Sequence, residues 1–377
     1  MQPFAATGDS AQAFSIDATQ KFAASNEVPR EVENLPMHEF YLKQAIGGAT
    51  LLATLCLPAL AQKQKKDKSS GYDRAARATL LHDANVYVAA DPNTQRISLV
   101  TPGHEVVVVE RSGPWVKVFA NTDIGDDQDD DQKADFGDDA VATPSSGWIR
   151  DKGVVNPSTP NGDAILYGAA ANLEEQASQP HAPKGAAGAA HLLYRRVAEY
   201  FPDSPLAPEA AWRSADVRWQ IDRLDIKSLP SAKEQDASLR PSIYDGELKR
   251  VIKNYPGTKF AAMAAFEMLD NKLCGDWQGL PKCPELETNL YEKYAQQFPD
   301  GPKTPEALYN AAYRQGVLVT MYTVEENRKK AEAATARTQS IAQQLKTKFP
   351  QSDYTARAAS IAYKVQQGIA IYGNDRD

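Results

Sequence analysis

One short phrase recurs four times in the C-terminal half of this 377-residue chain, and it restricts the fold more than any other feature. It reads YFPDSPLAPEAAW, NYPGTKFAAMAAF, QFPDGPKTPEALY and KFPQSDYTARAAS. Aligned on Pro202, Pro256, Pro299 and Pro350, each copy places an aromatic residue just before the proline: Phe201, Tyr255, Phe298 and Phe349. Five before the proline stands Val197, Val251, Tyr294 or Leu345, and eight after it Ala210, Ala264, Ala307 or Ala358. The apolar and aromatic positions are four apart, so they share one helical face. Proline ends that helix, because it lacks the N–H and clashes with the preceding turn. A second helix is predicted behind Ser204, Thr258, Thr304 or Ser352, residue types that cap N-termini. Pro205 and Pro305 fall where a first helical turn accepts proline. The alanine lets the second helix approach its neighbour closely. Each phrase therefore encodes a helical hairpin. A single hairpin cannot bury its apolar face, but a stack of them can.

The prolines are 54, 43 and 51 residues apart, longer than the roughly 34 of a plain tetratricopeptide array. The extra residues are assigned to the links: SLPSAKEQDASLRPS, then the loop CGDWQGLPKC, then the charged helix-like run EENRKKAEAATARTQS. GDAILYGAAANLEEQAS, from Gly162, reads as a leading helix or cap, and PHAPKGAAG after it as a link. The pattern aromatic-Pro-x-Ser/Thr followed by Ala resembles the tetratricopeptide class of the outer-membrane β-barrel assembly lipoprotein and of periplasmic cell-division coordinators. That resemblance implies a solenoid over residues 162–372 that holds a protein partner. Tyr194, Tyr291, Tyr309 and Tyr313 are candidates to line its binding surface. The competing reading has them packing between helices.

Residues 77–156 have a different texture. LLHDANVYVAAD, ISLVTPGHEVVVVERSGPWVKVFA and GWIRDKGVV are short β-branched runs broken by turn signals, which read as strands of a small barrel. Gly103, Trp115, Gly147 and Trp148 occur in the order seen in bacterial SH3-type domains, which this segment resembles. The resemblance implies a module that binds peptides or cell-wall fragments, with Tyr87, Trp115 and Trp148 as the groove candidates. The alternative is that both tryptophans pack the small core. One departure is an acidic loop at 121–146, where the family has a short hairpin. The stretch DDQDDDQKADFGDD, residues 126–139, holds eight Asp and one Lys. Such charge density with little apolar content reads as solvated loop. The tract lacks the ligand spacing and bidentate Glu of a preformed calcium loop, so no metal is expected there.

That tract accounts for the whole formal charge of −7. The rest of the chain is neutral and offers no basic excess for nucleic acid, so no nucleic-acid partner is expected. The one long apolar run, AIGGATLLATLCLPALA at 45–61, ends in the small-x-small pattern of a signal-peptide cleavage site. Residues 1–61 are read as a signal region cleaved between Ala61 and Gln62, followed by a linker at 62–76. Met37 offers an alternative start that would leave residues 1–36 untranslated. Two readings compete with export. Cys56 would serve as a lipoprotein cysteine, although Leu55 stands where a small residue is needed. Alternatively the run stays uncleaved as an inner-membrane anchor, which Lys63, Lys65, Lys66 and Lys68 favour. Membrane contact is expected only through this segment. In an exported chain, Cys274 and Cys283 form an even pair with eight residues between them and are expected to be disulfide-bonded. Two unrelated thiols are the alternative, and a zinc site lacks ligands.

No pattern of catalytic residues is present. His38, His82, His104, His181 and His191 fall in no metal or nucleophile motif, and His181 and His191 flank a loose link that suggests a surface position. Glu174-Glu175 and Glu325-Glu326 read as solvated helix faces. The expected fold is multidomain: a small all-β SH3-like barrel plus an all-α tetratricopeptide-like solenoid. The expected role is an exported adaptor without cofactor or metal. The runners-up are a peptidoglycan-binding protein whose repeats oligomerise and a membrane-anchored cytoplasmic scaffold.

Overall fold

The computed structural model describes residues 77–123 and 145–373. The apolar run with Ala61 and Gln62, the linker and the acidic tract lie outside the described residues. All described residues belong to one compact unit.

The first part is a curled antiparallel sheet of seven strands: β1 (Arg77–Leu80), β2 (Ala84–Tyr87), β3 (Arg96–Val100), β4 (Glu105–Ser112), β5 (Trp115–Ala120), β6 (Ser145–Arg150) and β7 (Val154–Val155). Their order is β3-β2-β6-β5-β4-β1-β7, so β3 and β7 form the two edges. Strand alternation sorts the side chains by face. On β5, Val116, Val118 and Ala120 point into the core with Leu80, Val86, Val106 and Ile149. Trp115, Lys117 and Phe119 point the other way.

Nine helices follow among the described residues: α1 (Gly162–Ala177), α2 (Ala186–Tyr200), α3 (Ala207–Ser228), α4 (Gly246–Asn254), α5 (Lys259–Glu267), α6 (Lys282–Gln297), α7 (Thr304–Val324), α8 (Arg328–Lys348) and α9 (Asp353–Gln366). The repeated phrase is the corner of the hairpins α2–α3, α4–α5, α6–α7 and α8–α9. At each corner the aromatic residue ends its helix in nearly the same backbone state. The φ/ψ values are −127/58 at Phe201, −126/51 at Tyr255, −127/65 at Phe298 and −131/53 at Phe349. Each aromatic N–H donates to the carbonyl of the apolar residue four before it: Val197, Val251, Tyr294 or Leu345. Each aromatic carbonyl then accepts from the N–H three residues on, at Ser204, Thr258, Gly301 and Ser352. The prolines are exposed on the outside of the bend.

Ala210, Ala264, Ala307 and Ala358 are all fully buried. Each shares a core cluster with the apolar residue thirteen before it, across its own hairpin: Val197, Val251, Tyr294 and Leu345. The caps differ in detail from the sequence expectation. Thr258 and Ser352 are N-caps, accepting from Ala261 N–H and Tyr354 N–H. Ser204 instead accepts from Leu206 N–H one turn early, at 3.1 Å, and Pro208 rather than Pro205 occupies the first turn of α3. Thr304 is already helical, and its hydroxyl donates to the Phe298 carbonyl. The helix-like run EENRKKAEAATARTQS lengthens its repeat as helix: from Arg328 it forms the N-terminal part of α8.

Sheet and helices pack directly. Leu81 and Val155 join the core of α1, α2 and α3. Gly103 has φ +88, and a Cβ there would stand 2.5 Å from Leu192 Cβ on α2. Glycine is thus required both by the backbone and by the close approach. The Arg196 side chain, 3% exposed, donates to the Gly103 carbonyl at 3.0 Å and pairs with Asp123. Asp123 also accepts from Glu105 N–H at 3.1 Å. Burial opposes its ionisation, but His104, Arg196 and the Glu105 N–H outweigh that and hold its carboxyl below the ordinary range.

Candidate binding cleft

The aromatic candidates of the sheet share its outer face. Tyr87 pairs in register with Trp148, and Trp115 with Arg150. Trp115 is 5% exposed, yet it lies outside the core cluster. Tyr87 meets it edge-on at 5.8 Å, and the Arg150 guanidinium sits 4.0 Å from its ring centre. Tyr87 and Trp148 are half-buried. The tyrosines of the helices divide. Tyr194 and Tyr291 are buried. Tyr309 stacks near Tyr313 and Tyr354, and Tyr313 donates to the Tyr372 carbonyl at 2.8 Å.

Two of the insertions that lengthen the repeats come together in space. The segment between α3 and α4, residues 229–245, contains two 3-10 turns. It meets the loop closed by the Cys274–Cys283 disulfide, whose Cα atoms are 5.9 Å apart. Gly275 N–H donates to the Glu234 carbonyl at 3.2 Å and Asp276 N–H to the Lys233 carbonyl at 3.0 Å. Gln235 Nε2 donates to the Trp277 carbonyl at 3.1 Å. A Cβ on Gly275 would lie 2.2 Å from the Glu234 oxygen, so only glycine permits this seam.

The loop is pinned from below by a buried ion pair. Arg314 on α7 donates to Glu287 on α6 at 2.7 Å, with both side chains at most 2% exposed. The other Glu287 oxygen accepts from Cys274 N–H at 2.9 Å and Trp277 Nε1 at 3.1 Å. Every strong partner of this carboxylate is in place, which is what makes a buried charge tolerable. Trp277 then packs with Val317, Ile361 and Ile371.

Between these parts opens a cleft of about 840 Å³. One wall is the end of α3 with the insertion, another the disulfide loop, and a third the last turns of α7. The C-terminal segment closes the end, where Ile371 N–H donates to Thr320 Oγ1 at 2.9 Å. Ile226, Ile243, Trp277, Val317 and Met321 give the cleft an apolar lining. Its charged lining is Arg223, Lys227, Lys233 and Arg240 from α3 and the insertion, together with Asp270, Asp276 and Glu325, and Arg223 pairs with Asp270 at 3.1 Å.

Elsewhere, sequence reasoning misplaced two groups. His191 is buried rather than superficial, with Nδ1 2.9 Å from the Ser214 carbonyl, and burial pushes its pKa down. Glu174 accepts from Tyr194 Oη at 2.6 Å and Arg213 at 3.0 Å instead of facing solvent. Glu267 on α5 accepts from Trp212 Nε1 at 3.0 Å. Burial first, then the nearby Asp216 charge, push it from an ordinary 4.5 up to about 8. Among the described residues, no group of three or more His, Cys, Asp or Glu could hold a metal ion, and no helix is long and apolar enough to cross a membrane.

No protein-family model matches the chain, and no curated protein matches it. Among solved structures, the chain is similar to a de novo designed helical repeat protein, DHR64, at 16% identity. That match covers 55% of this chain and 95% of the other, with a TM-score of 0.21. A designed filament, DHF79, matches at 15% identity over 55% of this chain and 97% of the other, with a TM-score of 0.19. Likeness at this level carries no argument about function.

Proposed function

We propose that this protein is an exported, non-catalytic adaptor. Its helical hairpins, read as tetratricopeptide-like, hold a protein partner. Its curled sheet, read as an SH3-like barrel, contacts a peptide or cell-wall component through the face carrying Tyr87 and Trp148. The observation that carries this reading is the cleft of about 840 Å³, lined by the two insertions and the last turns of α7. Linking two binding modules raises the local concentration of one ligand near the other. The test uses purified cell-wall sacculi and the full chain. Co-sedimentation that drops at least tenfold in a Trp148→Ala variant supports the sheet's role, and no pelleting overturns it. Protease access in spheroplasts tests export: an exported chain is digested without lysis, whereas a cytoplasmic scaffold survives.

One observation favours a second reading, in which the repeats serve self-association. Tyr363 on α9 is 61% exposed and Ile369, just beyond it, 51%. Sedimentation velocity separates the two: the adaptor reading predicts a monomer at micromolar concentration, the second a dimer or larger.

A further inference from the structure

We propose that the outer face of the curled sheet binds an acidic glycan, a chain of sugar rings bearing anionic groups. The inference rests on the adaptor reading, in which this face contacts a peptide or a cell-wall component, and chooses between the two on the chemistry of the face.

The face is organised around Trp148 on β6. Lys117 on β5 stands opposite it on one side, and Tyr87 on β2 on the other. Arg150, two residues along β6, projects from the same face. Trp115 lies opposite Arg150, with the guanidinium 4.0 Å from its ring centre and Tyr87 against its edge at 5.8 Å. At 5% exposed, Trp115 is a support. A ligand meets the half-buried rings of Trp148 and Tyr87, the half-buried Lys117 and the exposed Arg150.

Three features select the ligand. First, β5 and β6 are interior strands, each paired on both sides. Their backbone is not free for strand addition, the way an extended peptide joins a sheet edge. Recognition there uses ring faces and side-chain tips. A sugar ring turns C–H groups outward on its faces, and those suit the negative face of an aromatic ring. Second, the tips are unengaged. Among the described residues, Tyr87 Oη, Trp148 Nε1, Lys117 Nζ and the Arg150 N–H groups have no hydrogen-bond partner. All four side chains can donate, so the platform calls for a ligand rich in acceptors. Third, the charge around Trp148 is positive. Lys117 and Arg150 flank it without a paired carboxylate among the described residues. Farther out, the exposed Glu110 beyond Lys117 and the exposed Arg96 beyond Tyr87 are of opposite sign and offset each other. Bonds from Lys and Arg to an anion are about twice as strong as those to a neutral acceptor. A neutral glycan would leave both cations unused.

The test is binding of the full oxidised chain to an array carrying uronic-acid oligosaccharides, sulfated oligosaccharides, their neutral counterparts, an Asp-rich peptide and oligo-dT. The expected result is binding to acidic oligosaccharides at least tenfold tighter than to neutral ones, and none to the peptide or the DNA. The uronate and sulfated arms identify the anion. For the tightest oligosaccharide, Trp148→Ala and Lys117→Gln are each expected to raise Kd at least tenfold, and Arg150→Gln to act like Lys117→Gln from the neighbouring strand. Unchanged thermal melting confirms that the variants fold. Equal binding of neutral oligosaccharides, preference for the peptide or the DNA, indifference to Lys117→Gln and Arg150→Gln, or no bound oligosaccharide overturns the proposal. The sacculi judge the adaptor reading separately. Pelleting that depends on Trp148, with no acidic oligosaccharide bound on the array, overturns the glycan and keeps the adaptor. Binding on the array without pelleting upholds the glycan and removes the cell-wall contact.

Discussion

At the scale of single residues, the buried ionisable groups decide how the fold responds to pH. Glu267 titrates near 8 in the folded chain against an ordinary 4.5. Between those values the folded state keeps a proton that the unfolded chain has released, so stability falls as pH rises through that window. Glu267→Gln removes this slope while keeping an acceptor for Trp212. The melting temperature of the variant relative to wild type is therefore expected to climb steadily from pH 5 to pH 8.5. A constant difference would show that Glu267 is ionised throughout. His191 acts at the other end. Its pKa is lowered by burial, so the folded state loses stability as pH drops below about 6.5. That loss is common to both proteins and cancels in the difference. None of this was legible in the sequence. His191 lies beside a glycine-rich link that reads as surface, and its partner Ser214 is 23 residues away. Glu287 and Arg314 sit on different helices, 27 residues apart. A residue's burial depends on what the other helices bring to it, and composition does not carry that.

At the scale of elements, the corners were legible because they repeat. One helix end fixed by an aromatic residue and a proline is weak as a signal. Four in register define the hairpin, the bend and the buried alanine together. The caps were read less well, since Ser204 and Thr304 bond into the turn rather than to the first helical N–H. Lengthening Ala307 to Leu places three extra carbons in a fully buried site beside Leu308 and Tyr294. A loss of about 1–3 kcal/mol is expected from such overpacking, measurable by urea unfolding, whereas Ala307→Gly is expected to cost about 1 kcal/mol through helix propensity. The disulfide was also legible, from the pair of cysteines left once Cys56 is set aside with the apolar run and from the turn residues between them. Its role in fixing a cleft wall was not, because the loop's other neighbours, Glu234 and Lys233, lie 41 and 43 residues upstream of Gly275 and Asp276 in the first insertion. Replacing both cysteines by serine is expected to cost about 2–3 kcal/mol and to weaken cleft ligands more than ligands of the sheet.

At the scale of the whole molecule, the sequence suggested two modules joined by a break near residue 160, and the structure adds a tight junction between them. Arg196 reaches from α2 to the Gly103 carbonyl and to Asp123 beside β5. Replacing Arg196 by Met leaves the Asp123 carboxylate without its main counter-charge, a change worth about 3–5 kcal/mol when one partner of a buried pair is removed. Calorimetry is expected to show one transition in wild type and two in Arg196→Met, as the sheet uncouples from the helices. A fixed relation between sheet and solenoid matters for an adaptor, because it sets the distance between what each end holds. The most direct measurement of that role is photocrosslinking in living cells, with benzoylphenylalanine placed at position 233 or 324 of the full chain and at position 346 on α8 as a control. One discrete heterologous protein joined from the first two positions and not from the third is the predicted result. Equal capture at all three, or none from the cleft, would contradict it.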